Sequence, residues 1–213
     1  EGVLENPAPE KIFGQHVYPD LEAGKVGFRK GMYMASCDEI HFTVKGKGGH
    51  AALPHKLKDP VLATAQIIVA LQQVVSRGSR PDVPSVLSIG KVIANGATNI
   101  IPNEVNVEGT FRTMNEEWRS NAHKLIEEII HNIAKSNGVE VDLKIDKGYP
   151  FLVNDEFVTE KAISIAKTYL GEENVIDLDL RMTGEDFAYY SQQIPACFYR
   201  LGTGNVAKNI TSG

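Results

Sequence analysis

The residue whose setting best suits chemistry is a histidine that follows a glycine-rich turn. His50 comes directly after Gly46, Gly48 and Gly49, which allow the chain to turn sharply and to pass close to another surface. A histidine presented in this way can donate a hydrogen bond to a reacting group, or exchange a proton with it, near neutral pH. An ordinary glycine-rich turn that carries a surface histidine explains the same stretch equally well.

Three other residues stand where a site could form. His16 lies near the end of a predicted strand, the usual place for site residues in an α/β sheet, although a single histidine is a weak metal signal. Asn99 lies in a loop between two predicted strands, which an ordinary turn would also explain. Arg112 lies on the second of those strands. A solvated arginine is the common case there, but a guanidinium also matches a substrate carboxylate.

Other polar residues need no functional explanation. Three histidines alternate out of a strand or lie off an apolar helix stripe, so we expect them to be exposed to solvent: His41, His123 and His131. The acidic pair Glu185-Asp186 opens a predicted helix, where interaction with the positive end of the helix dipole accounts for it.

The central segment has the pattern of a small two-layer domain. Apolar residues alternate in four predicted strands and recur at helical spacing in two predicted helices. The segments are, in order, a strand at 39–44, a helix from 60 to 78, strands at 85–94 and 104–113, a helix from 116 to 138 and a strand at 139–145. This β-α-β-β-α-β order is typical of ferredoxin-like folds, with both helices on one face of the sheet.

The flanking segments have a different pattern, in which strands and helices alternate. We expect a strand at 11–17, an irregular stretch at 21–34, helices at 155–170 and 185–193, and strands at 175–178 and 197–201. Because the first 36 residues are too few for a domain, they should pack with residues 151–213. The fold class is therefore α/β, with the unit at 37–150 inserted into a discontinuous α/β domain.

Composition narrows the class of protein. The formal net charge of −5 argues against nucleic acid as a partner. No apolar run is expected to reach the length of a membrane span, so we expect no membrane partner. Cys37 and Cys197 have no metal-like spacing, and free thiols favour a reducing, cytoplasmic location.

Five short motifs occur in one order along the chain. They are Gly-Gln-His-Val at 14–17, Gly-Lys-Gly-Gly-His-Ala-Ala-x-Pro-His at 46–55, Gly-x-x-Asn-x-Ile-Pro at 96–102, Gly-Thr-x-Arg at 109–112 and Gly-Glu-Asp-Phe at 184–187. Together they resemble the M20 metallopeptidase family. The likeness is greatest to its amidohydrolase branch, which includes aminoacylase-like, hippurate hydrolase-like and auxin-conjugate hydrolase-like enzymes. The resemblance covers essentially the whole chain.

The resemblance implies a role for each candidate residue. His16 matches a ligand of a divalent metal. The expected metal is zinc, and manganese, cobalt and nickel are the alternatives. His50 matches a histidine of a lid domain that reaches the active site of the other subunit, where it stabilises the tetrahedral intermediate. Asn99 and Arg112 match lid residues that contact the substrate. The resemblance thus implies hydrolysis of the amide bond of N-acyl amino acids or related small conjugates by a homodimer that pairs through its lid, residues 37–150.

The chain also departs from the family pattern. Members carry a metal motif and a Glu-Glu pair before the position of His16, and a final ligand histidine near their end; none of these has a counterpart here. Since a hydrolytic zinc site needs about three protein ligands, we expect the metal site to be incomplete and the isolated chain to be inactive. Two alternatives stay open. One is a dipeptidase or carboxypeptidase of the same family, and the other is a non-catalytic dimerisation module of ferredoxin-like fold.

Overall fold

The computed structural model describes residues 2–211, which divide into two compact units. Unit 1 combines the residues up to Ala35 with those from Tyr149 onward, and unit 2 runs from Ser36 to Gly148. The chain therefore enters unit 2 between Ala35 and Ser36 and leaves it between Gly148 and Tyr149. The functional assignment of the units, as part of a catalytic domain and as a lid, is still a prediction.

The helices and strands are as follows. The strands are β1 (Ile12–Glu22), β2 (Val26–Phe28), β3 (Gly31–Met34), β4 (Asp38–Lys45), β5 (Gly49–His50), β6 (Ser85–Ile93), β7 (Ile100–Ile101), β8 (Glu104–Thr113), β9 (Glu140–Lys147), β10 (Leu152–Asn154), β11 (Val175–Asp177) and β12 (Ala196–Gly204). The helices are α1 (Pro60–Gln73), continued by a π-helical turn (Val74–Gly78), α2 (Glu116–Asn137), α3 (Glu156–Leu170) and α4 (Ala188–Ser191). The expected mixed α/β class is confirmed.

Unit 2 is built on a four-stranded antiparallel sheet. The strand order is β6-β8-β4-β9, and Ile40 of β4 lies opposite Gly109 of β8 and Ile145 of β9. Because side chains alternate along a strand, every second residue of β4 points to the same face, and Ile40, Phe42 and Val44 are all buried. Glu39, His41 and Thr43 point to the opposite, polar face.

The two long helices of unit 2 begin at side chains that cap them. The Asp59 carboxylate accepts hydrogen bonds from the backbone N–H groups of Val61 and Leu62, at 2.8 and 3.1 Å. Asn115 accepts one from Trp118 at 2.8 Å, and α2 ends at Gly138, whose φ of 64° is readily adopted by glycine. These contacts satisfy N–H groups that have no partner within the helix, and they fix where each helix starts.

One apolar core joins these helices to the sheet. Ile67 and Leu71 of α1 and Ile126 and Ile130 of α2 are fully buried against the apolar face of the sheet. Their spacing of three to four residues places them on one side of each helix. Both helices therefore cover the same face of the sheet, and the polar face stays uncovered within unit 2.

Unit 1 contains a mixed sheet of order β1-β12-β2-β11. Strand β12 runs parallel to β1 and antiparallel to β2, and β2 runs parallel to β11. Helix α3 packs on one side of this sheet through Val158 and Ile163, which contact Val26, Phe28 and Cys197. On the other side, Tyr33, Leu152, Phe187 and Phe198 belong to a second cluster.

Two stretches of unit 1 differ from expectation. The segment at 21–34, expected to be irregular, contains the end of β1 and the short strands β2 and β3. Strand β2 is buried on both faces, so it lacks the alternation by which a strand is recognised. The helix expected at 185–193 is reduced to Ala188–Ser191, because the preceding turn is closed by hydrogen bonds between residues three apart.

The expectation that no apolar run reaches the length of a membrane span was wrong. By length and composition alone, the helix Pro60–Gly78 is long and apolar enough to cross a membrane. The helix is apolar on two sides. Its inner side packs into the core of unit 2, and Leu62 and Val69 are exposed on its outer side.

Candidate functional site

His50 is held in a defined orientation at one end of unit 2. Strand β5 pairs with β7, so that His50 lies opposite Ile100. The Nδ1 atom of His50 accepts a hydrogen bond from the backbone N–H of Ala52 at 3.1 Å. In a neutral imidazole only one nitrogen accepts, so the proton must be on Nε2. The exposed His50 ring therefore presents Nε2–H as a hydrogen-bond donor.

Asn99 is brought next to this histidine. The carbonyl oxygen of Asn99 accepts a hydrogen bond from the backbone N–H of Ala51, the residue after His50, at 2.9 Å. A pocket of about 440 Å³ lies beside the same loop, with Gly48, Gly49 and Ile100 among the residues that line it. The structure thus brings His50 and Asn99 together, as a site that uses both would require.

The glycines before His50 permit a close approach between two backbone segments. A Cβ atom at Gly48 would lie 2.3 Å from the carbonyl oxygen of Ile101, and one at Gly46 would lie 2.2 Å from that of Lys58. The Gly48 N–H donates to the Asn103 side chain at 3.0 Å. Any other residue type at these positions would push the loop away from its neighbours, so the glycines are needed for the position of His50.

Arg112 lies at the other end of unit 2. It is on β8 opposite Val86 of β6, and it helps to line an open pocket of about 360 Å³ on the polar face of the sheet. Thr110 lines the same pocket, and its hydroxyl donates to the carbonyl oxygen of Asp38 at 2.8 Å. A guanidinium in this setting could bind a carboxylate.

The two ends of unit 2 are far apart. The His50 loop adjoins the Glu104 end of β8, because Gly46 donates its N–H to the carbonyl oxygen of Asn103 at 2.8 Å. Eight residue steps separate Glu104 from Arg112, which is roughly 26 Å at about 3.3 Å per residue. The structure therefore does not bring Arg112 to His50 and Asn99 within one copy of unit 2.

His16 lies in unit 1, in the middle of β1 and not at the end of a strand as expected. Its side chain is exposed, and its Nδ1 atom lies 2.7 Å from the carbonyl oxygen of Val17. A carbonyl only accepts, so Nδ1 carries the proton and Nε2 has a free lone pair. This is the arrangement that metal-binding histidines adopt.

A single histidine does not make a metal site. Among residues 2–211, no group of three or more His, Cys, Asp or Glu side chains is placed to hold a metal ion. The geometry of His16 fits one ligand, but the described residues do not fit a complete metal centre. The described residues alone therefore do not support a metal-dependent catalytic step.

Two arginines that the sequence did not single out, Arg200 and Arg181, lie on or near the strands beside His16. Arg200 of β12 lies directly opposite His16 on the neighbouring parallel strand. The Arg181 guanidinium lies 4.7 Å from the ring centroid of Tyr18. Burial and a hydrogen bond with Asp186 raise the pKa of Glu185, while the charges of His16 and Arg200 act in the opposite direction. The helix-dipole explanation expected from the sequence does not include these interactions of Glu185.

The sequence also did not predict a second group of interacting side chains, which surrounds Asp38. His123, expected to be exposed, is half-buried, and its Nε2 lies 2.7 Å from the Asp38 carboxylate. Arg119 is buried and forms an ion pair with the same carboxylate. Burial alone would raise the pKa of Asp38, but hydrogen bonds from Arg119 and His123 outweigh it and lower the pKa to about 2. These contacts brace unit 2 where the chain enters and leaves it, since Asp38 also accepts from the Gly148 N–H.

Known proteins resemble this chain over nearly its whole length. An N-acetyldiaminopimelate deacetylase of Exiguobacterium sibiricum is 36% identical over 208 residues, covering 98% of this chain and 55% of that protein. The IAA-amino acid hydrolase ILR1-like 4 of Arabidopsis thaliana is 37% identical, covering 98% of this chain and 48% of that protein. The chain thus spans about half the length of the curated relatives that it matches.

A solved structure shows the same fold. The YXEP protein of Bacillus subtilis, described as a dinuclear metal binding peptidase from the M20 family, superposes with a TM-score of 0.72 at 32% identity. The match covers 94% of this chain and 49% of that one. The model of peptidase family M20/M25/M40 matches residues 1–212. With nearly every residue inside that match, the chain belongs to peptidase family M20/M25/M40.

Proposed function

We propose that this chain is part of a metal-dependent amidohydrolase that hydrolyses the amide bond of N-acyl amino acids or related small conjugates. The relatives support the reaction class, since they are a deacetylase of an N-acetylated amino acid and a hydrolase of an amino acid conjugate. The observation that carries the proposal is the orientation of His50, which presents Nε2–H as a donor beside Asn99.

This donor suits one step of amide hydrolysis. When the oxygen of water adds to the amide carbon, the carbonyl oxygen gains negative charge, and the C–N bond then breaks to give a carboxylate and an amine. A hydrogen bond from His50 Nε2–H would stabilise that oxygen in the transition state. Asn99 would orient the same group, and Arg112 would hold the carboxylate of the amino acid. His16 would contribute one ligand of a divalent metal, for which zinc is our first choice.

We further propose that His50 serves the active site of a second copy. Glu104, at the end of β8 that adjoins the His50 loop, lies roughly 26 Å along the strand from Arg112, so a small substrate cannot touch both ends of one unit 2. A two-fold dimer would solve this, because each copy could supply the His50 end to a site that uses the Arg112 end of its partner. Unit 2 would then be the ferredoxin-like lid that forms the dimer.

The outer surface of unit 2 offers an interface for such a dimer. Strand β6 is at one edge of the sheet, and its Val92 is exposed. On helix α1 the outward side chains Leu62 and Val69 are also exposed, Val69 to 73%. Unpaired strand edges and exposed apolar side chains are both typical of surfaces that associate. We propose that two copies pair through β6 and α1.

One experiment tests the reaction and the metal together. The 213-residue chain and the protein expressed from its complete gene are each purified, and zinc content and hydrolysis of N-acetyl amino acids are measured for both. We expect metal and turnover in the complete protein, and neither above background in the 213-residue chain, because residues 2–211 offer one candidate ligand. A complete protein that binds no metal and has no turnover would favour the alternative of a non-catalytic dimerisation module.

A further inference from the structure

Arg200 is a buried cation that has no anionic partner among residues 2–211. Its side chain lies on β12, and the residue is only 6% exposed. Among residues 2–211, no carboxylate oxygen lies within 4.0 Å of its guanidinium. A buried charge that has no counter-charge is costly, because the charge loses its hydration and gains no ion pair in return. Such a group is rare unless it has a ligand to bind.

The contacts that Arg200 does make are with neutral groups. Its Nε donates to the Tyr33 hydroxyl at 3.1 Å, and one terminal nitrogen lies 3.4 Å from the Met34 sulfur. The rings of Phe198 and Tyr18 lie 5.3 and 5.9 Å from its central carbon. Together these contacts position the guanidinium next to two aromatic rings without neutralising its charge.

One end of the guanidinium is open. Among the described residues, the only fully buried side-chain nitrogen or oxygen that lacks a hydrogen-bond partner is Thr159 Oγ1. The other terminal nitrogen of Arg200, Nη1, has no hydrogen bond to residues 2–211, so it must reach an accessible surface. The N–H groups of Nη1 are therefore available to a ligand that binds at this surface.

A second guanidinium lies near Arg200, and no described carboxylate forms an ion pair with Arg200. Arg181 lies against the same Tyr18 ring, at 4.7 Å. Glu185 is close enough for the Arg200 charge to act on its pKa, yet it does not approach the guanidinium within ion-pair distance. His16 lies opposite Arg200 on β1. The two guanidinium groups thus favour an anion beside His16, where the Glu185 carboxyl is the nearest acid that the structure shows to interact with Arg200.

We propose that Arg200, supported by the field of Arg181, forms a carboxylate-binding subsite beside His16. The planar guanidinium matches the two oxygens of a carboxylate, and the rings of Tyr18 and Phe198 would pack against a small apolar group attached to it. The subsite is argued from the contacts of Arg200 alone. It does not depend on the hydrolytic function.

The test is the binding of acetate to the 213-residue chain in metal-free buffer at constant ionic strength. Acetate is titrated against chloride, with acetamide as the neutral analogue, and thermal unfolding is followed. Acetate at ten times its Kd should raise Tm by about 3–6 °C, and acetamide should not. Arg200→Met should abolish this rise. It should also raise Tm in chloride alone, because it removes an unpaired buried charge.

Matched variants separate this proposal from a structural role. Arg80→Met removes an exposed arginine of unit 2 and should keep the full acetate effect. Glu185→Gln removes the nearby carboxyl and should leave acetate binding equal or tighter. The proposal is overturned if Arg200→Met lowers Tm in chloride while acetate still stabilises it. It is also overturned if phosphate stabilises the wild type as strongly as acetate does, since the subsite would then not select a carboxylate.

A second measurement covers the case in which Arg200→Met does not fold. In wild-type protein labelled with ¹⁵N-arginine, the Nε–H signal of Arg200, identified by its absence in Arg200→Lys, is followed during the acetate titration. A saturable shift of this signal, without a shift of the Arg80 signal, supports the subsite. An Arg200 signal that does not move at saturating acetate contradicts it.

Discussion

The Nδ1 atom of His50 accepts a hydrogen bond from the backbone N–H of Ala52, two residues further along the chain. This short contact sets the tautomer of the ring, and with it the direction in which His50 can donate a proton or a hydrogen bond. It is the structural basis for proposing that His50 donates a hydrogen bond to the oxygen of the reacting carbonyl.

The tautomer leads to a prediction about amide substitutes for the histidine. In the complete enzyme, His50→Ala should reduce kcat by about 10²–10³-fold, as for loss of one oxyanion donor, with metal content unchanged. His50→Gln places an N–H near the position of Nε2, so it should retain more activity than His50→Asn, which reaches only the position of Nδ1. Steady-state kinetics of the three variants checks this, with His55→Ala as an exposed control that should match the wild type. Equal activity of Gln and Asn variants would contradict the tautomer argument.

The close backbone approach at Gly48 leads to a second prediction. Gly48→Ala would place a methyl group 2.3 Å from the Ile101 carbonyl oxygen, so the loop must shift. We expect a loss of about 1–3 kcal/mol in the free energy of unfolding and a large fall in kcat. The matched control is Gly90→Ala, where an added Cβ meets no atom within 4 Å. Urea unfolding and kinetics of both variants decide the matter. If Gly48→Ala behaves like Gly90→Ala, the loop is not held by this contact.

The buried carboxylate of Asp38, which is bound by Arg119 and His123, makes the stability of unit 2 depend on pH. The folded pKa of Asp38 is lowered from 3.8 to about 2, because the hydrogen bonds and charges of Arg119 and His123 outweigh the effect of burial. A lowered folded pKa stabilises the protein above pH 3.8, and this contribution of about 2 kcal/mol is lost as the pH falls from about 4 to 2.

Substitution of Asp38 tests this pH dependence. Asp38→Asn should lower the free energy of unfolding at pH 7 by about 3–5 kcal/mol, since Arg119 loses its buried partner, and should flatten the profile between pH 4 and 2. Asp142→Asn, which breaks the exposed pair with Lys45, should leave the free energy of unfolding nearly unchanged. Urea unfolding across pH measures both. A profile for Asp38→Asn as steep as that of the wild type would show that another group titrates.

The apolar outer side of α1 gives a prediction about assembly. Replacing Leu62 and Val69 together by glutamate puts two charges into the proposed interface, so sedimentation velocity should show a monomer where the wild type sediments as a dimer. The control is Tyr169→Glu in unit 1, which changes an apolar residue that is 87% exposed outside the proposed interface. A dimer that persists in the double variant, or that is lost equally in the control, would place the interface elsewhere.

Local patterns in the sequence made much of unit 2 predictable. The alternation in β4 and β8 and the apolar stripe of α2 between Asn115 and Gly138 depend on neighbouring residues, so they can be read directly from the chain. The proximity of His50 and Asn99 was harder to predict from the sequence. It depends on a ladder of only two residue pairs between β5 and β7.

Features that depend on distant residues could not be read in this way. The local sequence does not indicate a role for Arg200, because the parallel pairing that places it opposite His16 joins strands near the two ends of the chain. His123 lies off the apolar stripe of α2, and its partner Asp38 is 85 residues away. The buried charges in both units are therefore consequences of tertiary structure, with no local signal in the sequence.

The most direct test of the account is complementation between two inactive variants of the complete enzyme. His50→Ala and His16→Ala are purified separately, mixed under conditions in which dimers exchange subunits, and assayed for hydrolysis of an N-acetyl amino acid. If His50 serves the site of the partner, a mixed dimer contains one site with both histidines, so the mixture should regain up to about a quarter of the wild-type activity at random exchange. If mixed dimers form, as shown by differently tagged subunits, and activity stays at the level of the separate variants, His50 does not act across the interface and the central claim is wrong.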